Sequence, residues 1–76
     1  MNDIEALDAA RHHLELTIHD LWVRYIGVGG HQNAHTLQSS LAGRVALSDF
    51  DHDNIVLALN EALHDLGDHR LAYRHT

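Results

Sequence analysis

The chain has 76 residues, 45% of them hydrophobic, and contains no cysteine. A domain of this size is only marginally stable alone, and without cysteine it has neither disulfides nor a thiolate zinc site, so oligomerisation is the remaining common remedy. The formal charge of −6, with five arginines and no lysine, disfavours binding to a phosphate backbone.

The first predicted element is a long helix over residues 3–26, a stretch without Gly or Pro. Its a/d positions recur at the alternating three- and four-residue steps of a coiled-coil seam. They are Ile4, Leu7, Arg11, Leu14, Ile18, Leu21 and Tyr25. A helix of about 24 residues is roughly 36 Å long, which is more than the rest of the chain can cover. The seam therefore predicts a homodimer.

The part of the seam predicted to form the dimer interface is its N-terminal portion. It comprises Ile4, Leu7, Arg11, Leu14 and Ile18. A charged residue at an a position, such as Arg11, lowers stability but can fix the register of the pairing. The aromatic residues Trp22 and Tyr25 are expected nearer the core, as anchors.

Glycines and caps divide the rest of the chain. Gly27–Gly30, with three glycines in four residues, ends the first helix as a fixed corner or a hinge. A short second helix is predicted over residues 34–42, with Asn33 as its N-cap and Gly43 just after its end. Ser48 or Asp49 caps a third helix over residues 50–66, which Gly67 ends before a tail over residues 68–76.

The third helix carries an apolar stripe with a period of 3.6 residues. The stripe consists of Ile55, Val56, Leu59, Ala62, Leu63 and Leu66. The sequence therefore predicts an all-α domain of three helices, one long, one short and one of medium length. No cofactor or catalytic residue is predicted, since no arrangement of nucleophile and base can be argued from the sequence.

Nine histidines suggest a metal-binding or metal-responsive module as an alternative. His12, Glu15 and His19 lie on one side of the first helix, and Glu61 and His64 form a Glu-x-x-His pair like that of di-iron bundles. A helical wheel turns these side chains away from the apolar stripes and towards water. No metal ligand is therefore predicted, although protonation of all the histidines would change the charge strongly with pH.

Asp49, Asp51 and Asp53 alternate like the first ligands of an EF-hand calcium loop. The pattern then fails, because the glycine position holds Asn54 and the bidentate glutamate position holds Asn60. Carboxylates are also favoured at a helix N-terminus by its dipole. The sequence therefore predicts that these aspartates cap the third helix.

Several short segments resemble a pattern in short helical actinobacterial proteins. The segments are Leu21-Trp22-Val23-Arg24-Tyr25, Gly29-Gly30, His52-Asp53, Ala58-Leu59-Asn60-Glu61 and Leu66-Gly67. The resemblance implies a regulatory role and carries over no catalytic or binding residues.

The leading functional hypothesis is a small non-enzymatic regulatory or adaptor protein that acts through helix-mediated protein–protein interaction. A helix-turn-helix DNA-binding protein, built from the second and third helices, is a further alternative, but no basic recognition face is present. The acidic N-terminal segment and the lack of a run of about 20 apolar residues predict a soluble cytoplasmic protein without a membrane contact.

Overall fold

The protein folds into four α-helices in the computed structural model, which describes the backbone of residues 3–74 and the side chains of residues 4–65. The helices are α1 (Asp3–His13), α2 (Ile18–Gly27), α3 (Ala34–Leu41) and α4 (Asp49–Arg74). No strand occurs in residues 3–74, so the predicted all-α class is confirmed. The helix α4 packs against α1 and α2, and α3 packs against the same two helices.

The predicted continuous helix over residues 3–26 is wrong, and four helices replace the predicted three. The chain leaves the helical path after His13, and Glu15 adopts a left-handed conformation with φ of 59°. Its amide donates to the carbonyl of His12 at 3.0 Å, while the amide of Leu16 donates to the carbonyl of Arg11 at 3.1 Å. These two bonds form a Schellman motif, which satisfies carbonyls that the end of a helix leaves free.

A capping box starts the next helix immediately after this turn. The Thr17 hydroxyl accepts from the amide of Asp20 at 3.0 Å, and the Asp20 carboxylate accepts from the amide of Thr17 at 3.2 Å. Threonine and aspartate three residues apart satisfy two amides that would otherwise lack a partner. The bonds from Thr17, that of its backbone amide first, hold the pKa of Asp20 below its usual value.

The helices α2 and α3 end in the same motif as α1, with glycine at the left-handed position. Gly29 has φ of 108° and Gly43 has φ of 79°. The predicted N-caps are also confirmed, because the side chains of Asn33 and Ser48 each accept from the amide three residues later, at 2.8 and 3.1 Å. Three of the turns between helices thus share one geometry, and only the first uses a residue other than glycine.

We expect Glu15→Gly to raise the free energy of unfolding of the monomer by about 0.5–1 kcal/mol. Glycine removes the left-handed penalty of an L-residue, which exceeds the extra chain entropy that glycine gives the unfolded state. Urea unfolding at low protein concentration measures the change. Glu15→Ala is the control, since it removes the same charge and keeps the strain; an equal gain in both variants would attribute the effect to charge.

The helix α4 is longer than predicted. The expected stop at Gly67 is wrong, because the helical backbone continues to Arg74 and takes in most of the predicted tail over residues 68–76. Glycine within a helix costs only about 1 kcal/mol relative to alanine, which the rest of a helix can offset. Residues 75 and 76 of the predicted tail lie outside the described part of the chain.

The core lies where α2 packs against α3 and α4. It contains Leu7, Leu21, Tyr25, Leu37, Leu41, Ile55, Ala58 and Leu59. The predicted stripe of the third helix is buried at Ile55, Leu59 and Ala62, but Leu63 is 57% exposed. Most of this core comes from α2, α3 and α4, and α1 contributes Leu7 as its buried side chain.

Candidate functional site

The residues predicted to form a dimer interface do not lie together on one exposed helix face. Leu7 is buried in the core, and Leu14 and Ile18 are half-buried and pack against it. The last two lie on opposite sides of the Glu15 turn. Ile4 is half-buried and lines a surface cleft.

Arg11, the predicted register residue, holds the turn between α1 and α2. Its Nε donates to Asp8 Oδ1 at 3.0 Å, and its Nη1 donates to the carbonyl of Leu16 at 2.8 Å. The Arg11 side chain is only 13% exposed. The guanidinium therefore stabilises the bent connection within this chain.

A polar cluster around the buried residues Tyr25 and Asp51 joins the loop after α2 to the first turn of α4. The Tyr25 hydroxyl donates to Asp51 Oδ1 at 2.7 Å, and the Ser48 hydroxyl donates to Asp51 Oδ2 at 3.0 Å. The backbone amide of Gln32 donates to the Tyr25 hydroxyl at 3.1 Å, and its side-chain amide lies 3.4 Å from Asp51 Oδ2. We call these four residues the loop clamp. It contains a carboxylate that is only 5% exposed.

The loop clamp and two neighbours hold the loop after α2 in place. The indole Nε1 of Trp22 donates to the carbonyl of Gln32 at 2.9 Å. Gly30 lies so close to the Tyr25 ring that an added Cβ would overlap ring atoms Cζ, Cε1 and Cε2. These contacts favour a fixed corner over a hinge at Gly27–Gly30.

Hydrogen bonds determine which groups of the loop clamp are ionised at neutral pH. Burial alone would raise the pKa of Asp51, but bonds from Tyr25, Ser48 and Gln32, with the nearby His31, hold that pKa below its usual 3.8. Burial raises the pKa of Tyr25 above 10.0, and its bond to Asp51 raises it further. At neutral pH the pair is thus a phenol donating to a carboxylate, an arrangement that strengthens the bond.

One buried donor beside the clamp has no hydrogen-bond partner among the described residues. Asn54, one turn after Asp51, is 6% exposed, and its Nδ2 makes no hydrogen bond. Buried polar groups are nearly always paired, with protein or with ordered water. The site is therefore polar but not completely satisfied by protein groups.

A surface cleft of about 310 Å³ lies between the N-terminal parts of α1 and α4. Ile4 and Leu47 give it apolar walls, and Asp49 and His52 give it polar ones. The loop clamp does not line this cleft, so its buried phenol and carboxylate face each other and the loop rather than an open site.

The outward side of α2 carries an apolar surface. His19, Trp22, Val23 and Ile26 follow the i, i+3, i+4, i+7 spacing that places residues on one face of a helix. Val23 is 52% exposed and Ile26 is 40% exposed, while the rings of His19 and Trp22 pack at 5.8 Å. We call these four residues the outer face of α2. Adjacent exposed apolar side chains of this kind are typical of contact surfaces.

The opposite flank of α2 is fastened to α4 by charge. Arg24 Nη1 lies 2.8 Å from Asp65 Oδ2 and 3.5 Å from Glu61 Oε1. Such exposed ion pairs contribute little to stability, so α2 is held against α4 mainly by its buried residues Leu21 and Tyr25. The helix therefore presents its core face inward, a charged flank to α4 and the outer face to solvent.

The side chains of residues 4–65 contain no group of three or more His, Asp or Glu residues arranged to hold a metal ion. His12 and His19, like Glu61 and His64, are exposed. The turn at Glu15 also removes the continuous helix on which the spacing of His12, Glu15 and His19 depended.

Sequence reasoning identified Tyr25 as an anchor but missed its partner. Asp51 was predicted to be one of several aspartates capping a helix, whereas it is the buried acceptor of the loop clamp. A signal was present, because Asp51 lies four residues before Ile55 and seven before Ala58, on the buried side of the same helix.

No family model matches the chain, and comparison with curated proteins and with solved structures found no match. The resemblance to short actinobacterial proteins stays a prediction. No helix within the described residues has the length and apolar character needed to cross a membrane.

Proposed function

We propose that this protein is a small non-enzymatic regulatory or adaptor protein that acts through helix-mediated protein–protein contacts and forms a homodimer. The observation that carries the proposal is the outer face of α2, where Val23 and Ile26 stand exposed beside Trp22. Val23 and Ile26 are 52% and 40% exposed, so covering the rest of each side chain contributes on the order of 1 kcal/mol. We also propose the cytoplasmic location that the sequence predicts.

The firm attachment of α2 supports this assignment. Arg24 ties one flank to α4, and Trp22 ties the other flank to the loop after α2. A contact surface on a helix that is already fixed loses little conformational freedom on binding. The buried polar groups also fit a structural role, since the Tyr25–Asp51 pair is directed into the loop clamp.

We expect the double substitution Val23→Ser and Ile26→Ser to abolish capture of a protein partner from native lysate. Both side chains are exposed, so the loss of apolar contact area falls on the complex rather than on the fold. Immobilised wild-type protein and the double variant are compared for retained proteins, and circular dichroism checks that both are folded.

The matched control is Leu57→Ser with Leu63→Ser on α4, two residues that are 52% and 57% exposed. It removes a similar apolar area from a different helix. We expect the control pair to retain the partner that the outer-face pair loses. Equal retention by both pairs, or no partner retained by the wild type, would contradict the assignment.

A further inference from the structure

The turn at Glu15 interrupts a seam that the sequence continues without a break. Leu7 and Leu14 before the turn keep their a/d spacing with Ile18 and Leu21 after it. A heptad pattern that passes through a turn in register specifies a continuous helix as well as the bent one. Residues 14–17 contain no Gly or Pro to prevent the straight form.

The bent form also holds backbone strain at its centre. Glu15 has φ of 59°, a conformation that favours glycine and is costly for other L-residues. Short hinge loops under strain invite exchange of an element between two copies of a chain. The strain disappears when residues 14–17 become helical.

The backbone hydrogen bonds of the turn can be replaced in the straight form, at the cost of the bond from Arg11 Nη1 to the carbonyl of Leu16. The amides of Glu15, Leu16 and Asp20 are now held by the Schellman motif and the Thr17 cap. In a continuous helix the amides of residues 15–20 would donate to the carbonyls of residues 11–16. The first amides of α2, which lack intrahelical partners in the bent form, would gain them.

Few side chains of α1 pack against the rest of the protein, so this helix can be exchanged between two copies of the chain. Of its described side chains, residues 4–13, Leu7 is buried, Ala10 is half-buried against the core and Ile4 lines the surface cleft. The outward residues Glu5, Ala6 and Ala9 are exposed. The packing of α2 against α3 and against α4 does not involve α1, so these contacts are kept when α1 leaves.

We propose that two copies of this chain exchange α1, with residues 3–27 of each copy forming one continuous helix. Each α1 then occupies on the second copy the position that it occupies here on its own chain, so Leu7 enters an identical core. The two straightened helices meet near residues 14–18, the segment that forms the turn in the bent form. This inference rests on the homodimer of the proposed function and specifies how that homodimer forms.

A thiol cross-linking experiment tests the exchange directly, because the chain has no cysteine of its own. Ile4 on α1 and His52 on α4 line the same cleft. We expect the variant carrying Ile4→Cys and His52→Cys, treated with a short bismaleimide, to give intrachain links in the monomer fraction. The dimer fraction, separated by size exclusion, is expected to give covalent dimers on denaturing gels.

Substitutions at Glu15 and Thr17, two residues of the turn, should shift the monomer–dimer equilibrium in opposite directions. Thr17→Ala removes a helix cap that only the bent form has. Because two bent monomers lose two caps and the dimer loses none, the dissociation constant should fall roughly thirtyfold. Glu15→Gly relieves strain in the bent form and weakens the straight helix, so it should raise the dissociation constant by at least roughly thirtyfold. Asn33→Ala removes an equivalent cap from α3 that both forms keep, and should leave the constant unchanged.

The outcomes separate the exchange from the homodimer. Covalent dimers together with opposite shifts for Thr17→Ala and Glu15→Gly support the exchange. A dimer fraction that gives only intrachain links overturns the exchange and leaves the homodimer standing. Sedimentation showing only the 8.5 kDa monomer up to millimolar concentration overturns both.

Discussion

Gly30→Ala is expected to lower the free energy of unfolding by about 3 kcal/mol, at the upper end of the cost of overpacking a core. The new methyl group would occupy space held by Cζ, Cε1 and Cε2 of Tyr25. That ring cannot swing away, because it is fully buried and its hydroxyl is bonded to Asp51 and Gln32. Since a domain of this size has a total stability of about 4–11 kcal/mol, the loss is severe. Urea unfolding followed by circular dichroism measures it.

The control is Gly27→Ala at the end of α2, where an added Cβ meets nothing within 4 Å. Alanine is a better helix former than glycine, so this change should raise stability by up to about 1 kcal/mol. The opposite signs of two Gly→Ala changes three residues apart isolate the steric cause. Adding Tyr25→Leu to Gly30→Ala should cost less than the sum of the two single changes. A strictly additive double variant would show that the ring is not what Gly30 accommodates.

The three turns between helices show how much of this fold the sequence could predict. Gly29 and Gly43 mark two of them, because glycine is the residue that a left-handed position favours, and both helix ends were predicted from it. Glu15 adopts the same conformation without that marker, so the pattern before and after it indicated one helix. The bent form also depends on Arg11 reaching the carbonyl of Leu16, a contact that periodicity does not reveal.

The candidate site was predicted less well, for a reason that concerns distance along the chain. The caps at Asn33 and Ser48 are local, and three residues suffice to recognise each. The loop clamp instead pairs Tyr25 with Asp51, 26 residues later. Whether an aspartate in the first turn of a helix meets solvent or a phenol depends on how α2 packs on α4.

Asp51→Ala is expected to lower the free energy of unfolding by about 2–3 kcal/mol, because removing the charged acceptor leaves the buried Tyr25 hydroxyl without an acceptor. The Tyr25 hydroxyl loses its acceptor at 2.7 Å, and the Ser48 hydroxyl loses its acceptor at 3.0 Å, while the Ser48 cap of the residue 51 amide remains. Asp49→Ala is the matched control, since it removes an exposed carboxylate from the same turn of α4. It should cost less than about 1 kcal/mol, the contribution of a charge at a helix N-terminus. Similar losses in both variants would show that charge, not the clamp, carries the effect.

The pH dependence of the free energy of unfolding distinguishes loss of the loop clamp from a simple loss of packing. The native pKa of Asp51 lies below 3.8, so the unfolded chain binds its proton first as the pH falls. The stability that Asp51 contributes is therefore complete above about pH 5 and is lost as the pH falls through 3.8 towards the native value. The native pKa of Tyr25 lies above 10.0, so its contribution is complete below pH 10 and is lost as the pH rises past it. Asp51→Ala should flatten the fall in stability at acid pH (the acid limb), leaving the slope that Asp20 causes. Asp49→Ala should keep the falls in stability at both acid and alkaline pH. An unchanged acid limb in Asp51→Ala would mean that the carboxylate does not stabilise the fold through its bond to Tyr25.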